Sequence, residues 1–176
     1  MNLRIVGGSK EQKARVRSLV KYSASKLMST RLVNKLNITV RLKEALFSSE
    51  SVYGDCIYLW DEHRPKDFVI RADADMTMKA LLVTIAHEMV HVKQWARDEM
   101  KTVTHAGYSV VRYKKGYFTH GMDYWEQPWE IEAHGLERSL FERWAQETGI
   151  YDKPQDNMWA FDIANNYPAG YWDEDR

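Results

Sequence analysis

Apolar positions recur along the chain at two spacings, one near 3.6 residues and one of two, and their succession predicts a mixed α+β domain. From Lys10 to about Met28, Val16, Leu19, Val20 and Leu27 fall on one face among Lys and Arg. That predicts an amphipathic helix, entered through Gly7-Gly8-Ser9. Asn37 to Leu42 alternates apolar and polar residues, and Ser51 to Trp60 and Asp67 to Arg71 are rich in β-branched and aromatic residues, which predicts three strands. The polar, Pro-containing stretch Asp61 to Lys66 should turn the chain between the last two, with His63 exposed in it. After Asp73-Ala74-Asp75-Met76-Thr77, a run of N-cap candidates, the helical period returns through Leu81, Leu82, Ile85, Met89, Val92 and Trp95. Val103 to Gly121 suits a hairpin or an extended excursion, and Pro128 sits where a first helical turn tolerates it, opening a helix to about Glu147. From Asp152 the tail has no clear period, and its aromatics Trp159, Phe161, Tyr167 and Trp172 are expected to pack back on the body.

Length and composition fit one domain over residues 1–176: 44% apolar residues with seven Trp and ten Tyr supply a core. The longest mostly apolar run, Leu81 to Ala86, stops at His87, far short of a membrane span, and Met1 to Gly8 lacks the layout of a secretory signal. The lone Cys56 cannot form an internal disulfide, and together these features predict a soluble cytoplasmic protein. Net charge is zero, which gives no global pull toward nucleic acid or anionic membrane. The charges are nevertheless segregated: residues 1–46 carry 11 Lys/Arg and 2 acids, residues 121–176 carry 4 and 13. These are either solvated faces, or ends that approach each other, or, as the sharper reading, a basic first helix that meets a partner.

The helix that follows the third strand carries the chemistry. His87-Glu88-Met89-Val90-His91 stacks two imidazoles on one helical face, where both can reach one cation, and zinc is the natural occupant. Glu88 lies about 100° further round, placed to take a proton from a metal-activated water rather than to bind the metal. The bland alternative is a helix that happens to contain two histidines beside a glutamate. A catalytic zinc needs a third protein ligand. Trp129, Ala133, Leu136, Leu140, Phe141 and Trp144 form a stripe on the later helix, and Glu130 falls nearer its centre than Glu132, so Glu130 is the favoured ligand. The competing role for Glu130 is simply to favour a helix N-terminus. His134, one turn later, could orient a ligand or be a packed helix histidine. His105, Tyr108, Tyr117, His120 and Tyr124 lie between the metal segments; His120 and Tyr124 are carried forward as candidates for stabilising an oxyanion.

On these residues the chain resembles an HExxH zincin, and specifically the gluzincin group, in which a second helix supplies a Glu ligand. Glu130-Ile131-Glu132-Ala133-His134 is similar to the E-x-x-A-D or E-x-x-A-N stretch of ImmA/IrrE-type peptidases and of the CAAX-prenyl-protease-like group, with His134 where those families carry Asp or Asn. The run His87 to Gln94 also resembles small metallopeptidases encoded by bacteriophages. The resemblance spans about Asp67 to Trp144. It implies a zincin-like fold: a small twisted sheet, an N-terminal helix, a metal-binding active-site helix and a C-terminal ligand-bearing helix. It also implies a zinc-dependent hydrolase of peptide bonds, with Glu88 as general base and peptides or unfolded protein segments added along a sheet edge. SprT-like proteases share the first motif but take a third His; His105 would then be the ligand, and their nuclease-neighbouring biology would match the basic first helix. A non-enzymatic zinc-stabilised interaction module is the remaining alternative, which leaves Glu88 without a purpose because a structural site fills all four positions.

Overall fold

The computed structural model describes residues 1–59 and 64–150. Their elements are β1 (Asn2–Gly7), α1 (Lys10–Leu27), α2 (Thr30–Val33), β2 (Asn37–Lys43), α3 (Leu46–Glu50), β3 (Gly54–Tyr58), β4 (Asp67–Asp73), α4 (Met78–Ala96), β5 (Met100–His105), β6 (Tyr108–Tyr113), β7 (Gly116–Phe118) and α5 (Pro128–Glu147). The described residues therefore form a mixed α and β fold with two small sheets.

The first sheet has the order β1-β2-β4-β3, with β1, β2 and β4 parallel and β3 antiparallel at one edge. Parallel neighbours cannot be joined by a tight turn, and α1 supplies the crossover from β1 to β2. Ser9 starts α1 with a capping box, its side chain accepting from the Gln12 backbone N–H while the Gln12 side chain accepts from the Ser9 N–H. One face of the sheet, with Ile38, Val40, Leu42, Phe68, Ile70 and Ala72, is buried in a common core with Val16, Leu19 and Val20 of α1 and Leu81, Leu82, Ile85 and Met89 of α4. Ala133, Phe141 and Trp144 of α5 join the same core from the far side of α4. Lodged between sheet and helices, α4 is buried almost all round from Leu81 to Gln94.

The second sheet is the antiparallel meander β5-β6-β7. Its first turn, Ala106-Gly107, has positive φ at both residues (50° and 84°), the mirror-image geometry that follows strand twist. Met100, Val111 and Tyr113 pack with Trp129 in a small satellite core, which fixes the sheet to the start of α5.

Four features differ from the sequence expectation. β1 was not expected: its apolar residues Leu3 and Ile5 alternate over too short a run, and it is an edge strand only half buried. The strand expected from Ser51 starts at Gly54, because α3 precedes it and Ser51 adopts φ 58°, which extended backbone excludes. The excursion around 103–121 is a three-stranded sheet rather than one hairpin. The short helices α2 and α3 carried no periodic signal. His63, the end of the expected second strand at Trp60, and the aromatic tail lie outside the described residues.

Among the described residues, α1 and α5 touch through an ion pair and side-chain hydrogen bonds. Glu147 at the end of α5 lies 3.3 Å from Lys26 Nζ and accepts from Tyr22 Oη at 3.3 Å, and Trp144 Nε1 donates to Ser18 Oγ at 3.0 Å. Among the described residues, no helix is long and apolar enough to cross a membrane.

Candidate metal centre

The centre lies where α4 and α5 pack. His87 and His91 stand one turn apart on α4, and Glu130 enters from the first turn of α5, whose Pro128 occupies the opening position where an N–H is dispensable. All three are at least nine-tenths buried. His87 Nε2 lies 3.0 Å from His91 Nε2 and 3.1 Å from Glu130 Oε2, and His91 Nε2 lies 3.4 Å from Glu130 Oε1. Three donors held at about 2.1 Å around a tetrahedral zinc stand roughly 3.4 Å apart, so the separations already match a shared ion.

The outer hydrogen bonds decide which ring nitrogens carry protons. Gln94 Nε2 donates to Trp129 O and to Glu132 Oε2, both at 2.9 Å, so its amide oxygen is the atom facing His91 Nδ1 at 2.8 Å. His91 Nδ1 therefore carries the hydrogen. At His87, Nδ1–H donates to Glu137 Oε2 at 2.8 Å. When neutral, both rings would aim their Nε2 lone pairs at the Glu130 carboxylate, three acceptors converging with no donor among them. Such a cluster takes up a cation or protons. Burial disfavours a charged His87, but hydrogen bonds with Glu130 and Glu137 override it and raise its pKa to about 10; His91 is also raised, against burial, by Glu130 and Glu88. Burial opposes ionisation of Glu130 too, yet its bonds to His87 and His91 hold it well below the usual carboxylate range. The residues present fit a metal ion.

Glu88 stands apart from these three. It is 4% exposed, and its Oε2 is buried with no hydrogen-bond partner. Burial raises its pKa, partly offset by His91 and His87 and reinforced by Glu130 and Asp55. A carboxylate with unused acceptor capacity and raised proton affinity is suited to accept a proton. Beside it runs the edge strand: a methyl placed on Gly54 would lie 3.2 Å from Glu88 Oε1 and 2.5 Å from Thr84 Cγ2. Cys56, two residues along β3, has its thiol pKa pushed well up by burial and by the charges of Glu88 and Asp55.

The other expected residues fall in different places. His134 reaches His87 through Glu137: its ring lies 4.6 Å from the His87 ring, its Nδ1 is 3.2 Å from Glu137 Oε2, and its Nε2 is 3.1 Å from Tyr124 Oη. Tyr124 and Trp125 cover His134 from a short 3-10 turn just before α5. His120 pairs instead with Ser109 on β6, and His105 stacks on Tyr117 at 4.2 Å, on the second sheet and outside the cluster. Glu132 faces away from the cluster and accepts from Lys93, Gln94, Tyr113 and Lys114.

Sequence reasoning missed Glu137, Gln94 and Gly54. Glu137 was findable, since it follows Glu130 by seven residues and so returns to the same helical face. Gln94, three residues after His91, had a similar signal, whereas Gly54 depends on a tertiary approach that no spacing encodes. No family model matches the chain, and neither a curated protein nor a solved structure matches it.

Proposed function

We propose that this protein is a zinc-dependent metallopeptidase of zincin-like architecture, with His87, His91 and Glu130 as ligands and Glu88 as general base. The observation that carries the reading is the convergence of three buried acceptors, two imidazoles and one carboxylate, beside a second buried carboxylate, Glu88, whose Oε2 has no hydrogen-bond partner. A bound zinc would supply Lewis acidity, polarising a carbonyl and acidifying a water. The protein's own part is positional. Glu137 and Gln94 hold the two imidazoles with their Nε2 atoms inward, and Glu88 offers an unoccupied oxygen to the proton released when water attacks, which it then returns to the departing amine. The edge strand β3, which among the described residues pairs with β4 alone, supports an extended peptide as the substrate, added by main-chain hydrogen bonds, and side-chain-free Gly54 lets this strand lie close to Glu88. His134 stands beside His87 and Tyr124 beside His134, which keeps Tyr124 as the candidate oxyanion donor, whereas His120 meets Ser109 on β6.

The test is cleavage of a peptide library and of unfolded casein by zinc-loaded protein, with and without chelator. Chelator-sensitive cleavage is expected. Stoichiometric zinc with no turnover on any substrate would favour a zinc-stabilised interaction module instead.

A further inference from the structure

We infer that Gln94 is a positioning residue for His91, and that Glu132 holds Gln94 in the required orientation, so the three-stranded sheet is part of the metal centre's support. This rests on the metal reading given above. A glutamine amide has nearly the same shape in its two flipped states, but the two are opposite in chemistry. In the observed state the oxygen accepts from His91 Nδ1–H and leaves Nε2 free for a cation. In the flipped state the amide N–H groups would face Nδ1, and the ring proton would move to Nε2, the atom that lies 3.0 Å from His87 Nε2.

The flip is prevented from outside. Gln94 is fully buried, and both its N–H groups are taken, one by Trp129 O and one by Glu132 Oε2, each at 2.9 Å. Turning the amide over would set its oxygen against two acceptors. Glu132 is in turn fixed by Lys93 Nζ at 2.8 Å, Tyr113 Oη at 2.9 Å and Lys114 Nζ at 3.0 Å. Two of those donors, Tyr113 and Lys114, lie at the end of β6 and in the turn that follows it. The chain of contacts therefore runs from the β6–β7 turn through Glu132 and Gln94 to a ring that would hold the metal. Trp129 adds to it twice, through its carbonyl and through the satellite core beneath the sheet.

The experiment is a zinc-affinity series measured by competition with a chromophoric chelator, on wild type, Gln94→Leu and the exchanged pair Gln94→Glu/Glu132→Gln. Melting of each metal-free protein serves as the control for fold. Gln94→Leu is expected to weaken zinc binding by ~10-fold or more, the usual effect of losing an orienting partner. The exchanged pair keeps an acceptor facing His91 and a donor between the two helices but sets a carboxylate oxygen against Trp129 O and an amide beside Lys93, so it should melt below wild type and still bind zinc more tightly than Gln94→Leu. A purely structural Gln94 would lower the melting temperature and leave affinity unchanged, which overturns the inference. Should Gln94→Leu fail to fold, nitrogen-15 histidine spectra of zinc-loaded wild type decide: Nδ1-protonated, Nε2-metallated His91 supports the inference, and coordination through Nδ1 overturns it. A wild type that binds no zinc sinks the metal reading itself, a separate outcome.

Discussion

Glu137 accepts the Nδ1 proton of His87 at 2.8 Å, while Glu130, seven residues earlier on the same helix, meets the opposite nitrogen of the same ring at 3.1 Å. One helical face thus grips both ends of one imidazole. Glu137→Leu should therefore weaken zinc binding by about 10–100-fold, through loss of ring orientation and ligand basicity. Zinc competition measures this, and unchanged affinity would remove Glu137 from the centre.

Glu88→Gln should fold, bind zinc and lose hydrolysis by at least ~100-fold, because the amide keeps the shape but cannot accept a proton. Stopped or fluorogenic peptide assays on zinc-loaded protein check it. Retained turnover would exclude Glu88 as the base.

Much of this was legible in the chain, and the reason is helical geometry. His87, Glu88, His91 and Glu130 sit on long helices whose faces follow from counting residues, and α1, α4 and α5 lie close to their expected bounds. Strands depend on partners distant in sequence, so edge strand β1 and the late start of β3 were not visible. Spacing alone puts Glu137 on the face of Glu130 and Gln94 near that of His91, but which side chains they meet on the other helix is set by tertiary packing. Gln94 finds Glu132 across 38 residues, and His87 finds Glu137 across 50.

Acid–base behaviour should differ between the metal-free and metal-bound protein. With no ion, His87 is raised from 6.5 to about 10, so the folded state binds a proton that the unfolded state gives up. Its contribution to stability is full below pH 6.5 and is lost as pH rises toward 10. Zinc takes the place of that proton, so the gain in melting temperature on adding zinc should grow as pH rises through this window. Thermal melts at several pH values, with zinc and with chelator, read it directly. A gap that shrinks with rising pH contradicts the assignment.

Gly54 has no room for a side chain. A methyl there would meet Thr84 Cγ2 at 2.5 Å, the Arg71 carbonyl oxygen at 3.1 Å and Glu88 Oε1 at 3.2 Å. Gly54→Ala should cost about 1–3 kcal/mol of stability, as overpacking does, and should depress activity by displacing Glu88 or closing the edge. Adding Thr84→Ser removes the tightest contact and should restore part of the stability. Denaturant unfolding of the single and double variants checks this, and a neutral Gly54→Ala would show that the strand can move away freely.

The identity of the third ligand tests the account most directly, because it is what joins α5 to the motif on α4. Zinc affinity and stoichiometry should be measured on wild type, Glu130→Ala and His105→Ala. The structure puts Glu130 3.1 Å from His87 Nε2 and 3.4 Å from His91 Nε2, and stacks His105 on Tyr117 instead. Wild type and His105→Ala should each bind one zinc with similar affinity, and Glu130→Ala should lose it steeply as three protein donors become two. Zinc retained without Glu130 and lost without His105 would contradict the account.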